Sequence, residues 1–194
     1  LEFAELLAPL AKPVFFDKPL GYSMVSAHNI LATEVYEGQF WSASGLSYEP
    51  SVQVLREEAE LRGVLAVDAH ISGPWDRYAI HLFEPLLNAG IISPNLHLVS
   101  VSQSSSRRMA VFEDLGHPHK LTARVTCWSK QKYAVPPTIS VQHADGTNRM
   151  TVLSDTYEAF TRLLHEFGTI CKNQKEADLS HMIAAIQLIE SATA

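Results

Sequence analysis

Residues 136–167 read PPTISVQHADGTNRMTVLSDTYEAFTRLLHEF, and the change of hydrophobic period inside this stretch decides the fold class. Thr138-Ile139-Ser140-Val141 and Arg149-Met150-Thr151-Val152 are rich in β-branched and apolar residues, which suit a pleated, half-buried strand. Between them Ala144-Asp145-Gly146-Thr147 supplies the Asp-Gly pair of a tight hairpin, where glycine tolerates positive φ. The period then lengthens. Ser154 or Asp155 predicts a helix cap with Glu158 placed as a capping box requires, and Phe160, Leu163, Leu164 and Phe167 fall at i, i+3, i+4 and i+7. This spacing puts Phe160 at the centre of a buried helix face. Strands that run straight into an amphipathic helix point to an α+β fold.

Upstream the alternation continues. Leu96–Val101, Met109–Phe112 and Leu121–Trp128 read as strands, separated by Ser104-Ser105-Ser106 and by Gly116-His117-Pro118-His119. With the hairpin they predict an antiparallel meander of about five strands, helices packed on one face, and a C-terminal helix. Helices are expected from Tyr48-Glu49-Pro50 through Arg62, with Pro50 near the first turn and Gly63 as the stop, and over 74–88, where Tyr78, Leu82, Phe83, Leu86 and Leu87 recur at helical spacing and Pro85 should kink or shorten the element. Val64-Leu65-Ala66-Val67 reads as a short buried strand, and the last helix is expected over 176–190. Nearer the start, 2–10 predicts a short helix, with strands at Val14-Phe15-Phe16 and Tyr22-Ser23-Met24-Val25. The organisation expected is one domain over 1–194, with 1–45 an extension of undefined structure and 169–194 a C-terminal helical segment.

Composition narrows the function classes. In 194 residues, 46% are hydrophobic, enough for a sizeable core, and the formal charge of −6 argues against a nucleic-acid or anionic-membrane surface. The two cysteines, Cys127 and Cys171, are too few for a disulfide framework and read as buried free thiols. No apolar run approaches the roughly 20 residues that span a bilayer, and 1–10 lacks the basic start of a signal peptide, so a reducing, cytoplasmic setting is expected. The first residue is Leu, compatible with a fragment or a cloning scar.

No segment carries a specific catalytic motif. Of nine histidines, His117 and His119 form a His-Pro-His turn just after Glu113 and Asp114, and His70 is a third donor for a transition metal. A solvated turn is the competing reading, since no His-Glu-x-x-His or Cys-x-x-Cys accompanies them. His81 and His143 read as boundary histidines. Cys127 with His143 and Asp145 is a conceivable nucleophile, base and orienting carboxylate, but a thiol inside a strand beside Trp128 reads as core. Ser104-Ser105-Ser106-Arg107-Arg108 lacks the glycines and lysine of a phosphate loop. Asp76-Arg77 suits a helix start. Glu57, Glu58 and Glu60 form a solvated helix face that, with Glu113 and Asp114, would suit a basic protein partner.

Pro74-x-Asp76-x-Tyr78, the Asp145-Gly146 hairpin, and the strand running into Ser154-Asp155-Thr156-Tyr157-Glu158-Ala159-Phe160 resemble the SUKH superfamily over about residues 55–168. The resemblance implies a single α+β domain that acts by binding, typically a bacterial immunity protein neutralising a toxin such as a nuclease, with no cofactor. Gly73-Pro74 in place of Leu-Pro and Asn88-Ala89-Gly90 in place of Asn-Gly-Gly depart from the pattern. The reading is therefore a non-enzymatic binding domain with Glu57, Glu58, Glu60, Glu113 and Asp114 at its interface. The alternative is a small metal-dependent or cysteine hydrolase using His70, His117 and His119.

Overall fold

A computed structural model describes residues 1–129, 134–173 and 177–193. In chain order the elements are α1 (Glu2–Leu7), β1 (Val14–Phe16), α2 (Met24–Leu31), β2 (Phe40–Ser42), α3 (Pro50–Arg62), β3 (Val64–Ser72), α4 (Trp75–Tyr78), α5 (Ile80–Asn88), β4 (His97–Gln103), β5 (Arg107–Asp114), β6 (Leu121–Trp128), β7 (Thr138–His143), β8 (Asn148–Val152), α6 (Thr156–Asn173) and α7 (Ser180–Ser191).

The α+β class holds, but the five-strand meander does not. The main sheet has six strands in the order β4-β5-β6-β3-β7-β8. Strand β3 is inserted at its centre, parallel to β6 and antiparallel to β7. It is longer than its first four residues suggest, because Val64, Val67, Ala69 and Ile71 all turn into the core. The chain leaves β3 through α4 and α5, reaches the far edge at β4, and returns strand by strand to lie beside β3. A parallel neighbour needs such a crossover, since two parallel strands cannot be joined by a hairpin.

Helices α5 and α7 cover one face of the sheet. Phe83 of α5 meets Phe112 of β5 edge-on at 5.4 Å and Trp75 at 6.0 Å, and the Trp75 indole donates to the Ile189 carbonyl at 3.1 Å. The other face is open: all seven residues of β4 are exposed, and Asp68 pairs with Arg124 there at 2.9 Å. The helical run 74–88 divides at Ala79, while Pro85 sits buried inside α5 and leaves the His81 carbonyl without its i+4 donor.

Residues 1–45 do more than extend the domain. Strands β1 and β2 pair in parallel, and Leu20 and Ala27 belong to the main core. Residues 22–25 start a helix instead of forming a strand, since Ser23 caps α2 by accepting from the Ser26 N–H at 3.1 Å. The last helix is α7, and the expected start at 176 lies outside the described residues.

Helix α6 corrects the reading of Phe160. Asp155 does cap it, accepting from the Glu158 N–H at 3.0 Å. Of the predicted face, Leu163 and the partly buried Phe167 do turn inward, but Ala159 and Ile170 complete the stripe, while Phe160 and Leu164 stand exposed. Phe167 stacks on Trp41 of β2 at 5.8 Å, so α6 packs on the β2 segment and not on the main sheet. Phe160 is 50% exposed.

Phe83 holds the inner face where Phe160 does not. Phe83→Ala should lower the unfolding free energy by about 3–5 kcal/mol in a urea titration, and Phe160→Ala by clearly less. Equal losses would show that the packing at Phe83 is misassigned.

Candidate active site

The C-terminal end of β3 opens into a cleft. Its turn depends on Gly73: φ is +143°, and a Cβ there would lie 2.2 Å from Cγ of Tyr78, so only glycine lets the Tyr78 ring fold back against the chain. The Gly73 N–H donates to the Trp128 carbonyl at 2.8 Å, which fixes this turn to the end of β6. Tyr78 closes α4, and His81 follows in the first turn of α5, with 5.9 Å between ring centres.

Three further residues converge on this pair. Lys18, at the cis Lys18–Pro19 bond just after β1, donates from Nζ to the Arg77 carbonyl at 3.3 Å and lies 5.4 Å from the centre of the Tyr78 ring. Ser44, in the loop after β2, places Oγ 2.8 Å from Nδ1 of His81. The Ser44 N–H in turn donates to Oε2 of Glu84 at 2.5 Å.

Burial sets the charge states. Desolvation, with the Lys18 ammonium adding to it, holds the His81 imidazole down at about 3. The ring is therefore neutral at neutral pH. Ser44 Oγ also accepts from the Leu46 N–H at 3.3 Å; with its hydroxyl donating to Nδ1 of His81, the ring hydrogen lies on Nε2. Glu84 is buried, and desolvation pushes its carboxyl up to about 8, the Ser44 N–H offsetting part of this. Burial also lowers the Lys18 ammonium from its ordinary value, against the pull of Asp17. A neutral imidazole, an amine eased toward deprotonation and a phenol edge make a set able to bind a hydroxyl or carbonyl oxygen and to move its proton.

The cleft has a volume of about 410 Å³. Tyr78 and His81 line it together with Leu46, Ile71, Pro136 and Phe160. The Phe160 ring is 3.1 Å from where a Cβ on Gly45 would stand, so the bare backbone of Gly45 lets the ring lie flat against the wall.

The residues singled out in the sequence fall elsewhere. Glu57 and Glu60 are exposed on α3, accepting from Gln53 at 3.0 Å and Arg56 at 3.0 Å, and Glu58 pairs with Arg149 at 3.5 Å. Asp114 is buried and caps its own turn, accepting from the N–H groups of Gly116 and His117 at 3.0 and 3.1 Å and from the Ser93 hydroxyl at 2.5 Å. Glu113 lies half-buried on β5 beside it. His117 and His119 are neighbours, with 5.8 Å between rings, while His70 sits in β3 paired with Thr126, away from that turn. Among the described residues no three His, Cys, Asp or Glu side chains form a metal site, so the metal-hydrolase alternative lacks its ligands.

The cysteine alternative fails on topology. Cys127 pairs with Ile71 and His143 with Val64, at opposite ends of β3 and thus about 20 Å apart. Burial also pushes the Cys127 thiol up to about 12. His143 is buried, not outward, and its Nδ1–H donates to the Gly63 carbonyl at 3.1 Å. Both cysteines are free, and Cys171 is exposed.

Sequence reasoning passed over Lys18, Ser44 and Glu84, read Tyr78 as part of an apolar helix face and treated His81 as a boundary residue. The available signal was the spacing Tyr78, His81, Glu84, three residues apart across one helical run, and a lone Asp17-Lys18-Pro19 directly after an apolar strand.

No protein-family model matches the chain, and no curated protein does. Solved structures match over nearly its whole length. A Gfo/Idh/MocA family oxidoreductase from Vibrio cholerae is 14% identical, with TM-score 0.71, over 98% of this chain and 72% of that one. GenD2 from gentamicin A biosynthesis, in complex with NAD, is 13% identical with TM-score 0.75, over 98% and 71%. The myo-inositol dehydrogenase from Lactobacillus casei, in complex with NAD(H) and myo-inositol, is 13% identical with TM-score 0.70, over 93% and 67%.

At such identities the likeness establishes a shared fold, and that fold is not the SUKH one. The resemblance spanned about residues 55–168 and left the β1–β2 unit aside, whereas these structures match over nearly the whole chain. The expected immunity protein rested on that resemblance and falls with it. Structures that share this fold include one described as an oxidoreductase and one described as a dehydrogenase, which goes against the expectation of a non-enzymatic binding domain. Among the described residues no helix is long and apolar enough to cross a membrane.

The buried pair makes opposite contributions to stability with pH. An unfolded histidine takes its proton near 6.5, whereas folded His81 resists down to about 3, so acidification through that window favours unfolding. Folded Glu84 keeps its proton up to about 8, against 4.5 when unfolded, so its stabilisation is complete below 4.5 and is lost as pH rises toward 8. Urea midpoints of the wild type should therefore fall more steeply between about pH 5 and about pH 8 than those of Glu84→Gln. Parallel slopes would show that Glu84 is ionised in the folded protein.

Proposed function

We propose that the chain provides the substrate side of an oxidoreductase that interconverts a secondary alcohol and its ketone, with a nicotinamide as the redox partner. The observation that carries the reading is a neutral His81 beside Tyr78 on the wall of a mostly apolar cleft, with Lys18 outside that lining, 5.4 Å from the centre of the Tyr78 ring. The structures of the same fold, described as oxidoreductases and dehydrogenases, support it.

A dinucleotide needs a cradle for its phosphates, usually a glycine-rich turn leading from a strand into a helix. The described residues do not fit that part of the group. The glycines with positive φ, Gly38, Gly63, Gly73, Gly90 and Gly146, are scattered over separate turns, and none follows the G-x-G-x-x-G spacing. What these residues do account for is the proton. The substrate oxygen sits against His81, whose Nε2–H donates to it, since Ser44 holds Nδ1. Lys18, lowered by burial and positioned by the Arg77 carbonyl, takes the hydroxyl proton in the oxidative direction and returns it in the reductive one. Glu84 touches no substrate atom. It is a positioning residue that fixes Ser44 through the backbone N–H.

The test is turnover of secondary alcohols, cyclic and acyclic, with NAD⁺ or NADP⁺ supplied in excess. The dinucleotide KM should be high, at or above about 1 mM, for want of a phosphate cradle. Lys18→Met and His81→Asn should each lower kcat by about 10²–10⁴-fold with the melting temperature little changed. Wild-type protein that turns over none of these alcohols with either cofactor refutes the reading, and full activity in one variant removes that residue from the chemistry.

A further inference from the structure

The chemistry of the cleft walls narrows the substrate further, on the premise of the oxidoreductase reading above. No charged side chain lines the cleft among the described residues. Its polar side chains are those of Ser72, Tyr78, His81 and Thr156. Ser72 is already engaged, its Oγ accepting from the Val135 N–H at 2.6 Å. Thr156 is the first residue of α6. The remaining surface is hydrocarbon: Leu46, Ile71, Val135, Pro136, Pro137 and Phe160.

A polyol carries a hydroxyl on nearly every carbon, and each one buried against such walls without a partner weakens binding. A hydrocarbon body gains from the same walls, since removing apolar surface from water is favourable on both sides. Phe160 fits this role. It is a large aromatic left 50% exposed at the cleft, and Leu164, one turn on, is 56% exposed. A bound apolar body covers the Phe160 ring that the fold itself leaves open.

We infer that this cleft takes a predominantly apolar secondary alcohol or ketone. Its single oxygen lies against Tyr78 and His81, and its ring or branched chain packs between Phe160, Leu46 and the two prolines. The class is opposite to the polyol named in the description of the Lactobacillus casei structure, although the fold is shared.

The test compares cyclohexanol with myo-inositol, the same carbocycle with one hydroxyl or with a hydroxyl on every carbon. Titration is followed by the methyl resonances of Leu46 and Ile71 in ¹³C-labelled protein. Cyclohexanol should shift both with a Kd about tenfold or more below that of myo-inositol, and Phe160→Ala should weaken it about tenfold, the scale on which an apolar pocket discriminates. Tyr157→Ala, which alters an exposed residue outside the cleft on the same helix, should leave the affinity unchanged. Equal or tighter binding of myo-inositol overturns the inference, as does cyclohexanol binding that leaves both methyls unmoved. Oxidation of myo-inositol in preference to cyclohexanol overturns this substrate class but leaves the oxidoreductase reading standing. Cyclohexanol binding in the cleft without turnover that depends on Lys18 or His81 refutes the reaction and leaves the apolar ligand class in place.

Discussion

Strand β3 is hydrogen-bonded along both flanks, parallel to β6 on one side and antiparallel to β7 on the other. A strand held this way cannot shift register without turning Val67, Ala69 and Ile71 away from the core. Its C-terminal end is thereby fixed beside the end of β6 and the start of β7, and the chain must leave the sheet there for the crossover. That exit carries Gly73, Tyr78 and His81. The place of the cleft follows from the pairing of one strand.

The second constraint is the burial of ionisable groups in series. Glu84, Ser44 and His81 form a short line from the core to the cleft, with one contact through backbone and one through a hydroxyl. Neither end of the line carries charge at neutral pH, which spares the core the cost of an isolated ion. The arrangement fixes the ring orientation of His81 with few atoms. It also ties the loop after β2 to α5, so the N-terminal elements and the sheet meet at the site.

Local features were legible in the sequence, and long-range ones were not. Helix α3 runs from Pro50 to Arg62 with Gly63 at φ +66°, as its proline and glycine require, and β6 spans Leu121–Trp128 as its alternation predicts. The hairpin turns at Gly146 with φ +84°. Strand β3 defeated the reading because its neighbours lie more than fifty residues away along the chain, and nothing local specifies which strands flank it. Phe160 failed for a subtler reason. Ala159 is small, so the pattern of large residues draws Phe160 and Leu164 into the stripe beside Leu163 and Phe167, whereas the face that packs on the Trp41 cluster runs through Ala159, Leu163 and Ile170. The site stayed hidden because Lys18, Ser44 and His81 come from three separate segments joined only by the fold.

Gly73 and Tyr78 impose an order on how this region is able to diverge. A Cβ at position 73 lies 2.2 Å from the Tyr78 ring, far inside van der Waals contact, and the positive φ strains it besides. Any substitution at 73 thus has to be preceded by a smaller residue at 78, and that first step removes a ring from the mouth of the cleft and a neighbour from Lys18. The two positions are coupled, with the intermediate that keeps the tyrosine closed to the chain. Homologous chains that retain an aromatic ring at this point are expected to retain the glycine with it, as a pair inherited together.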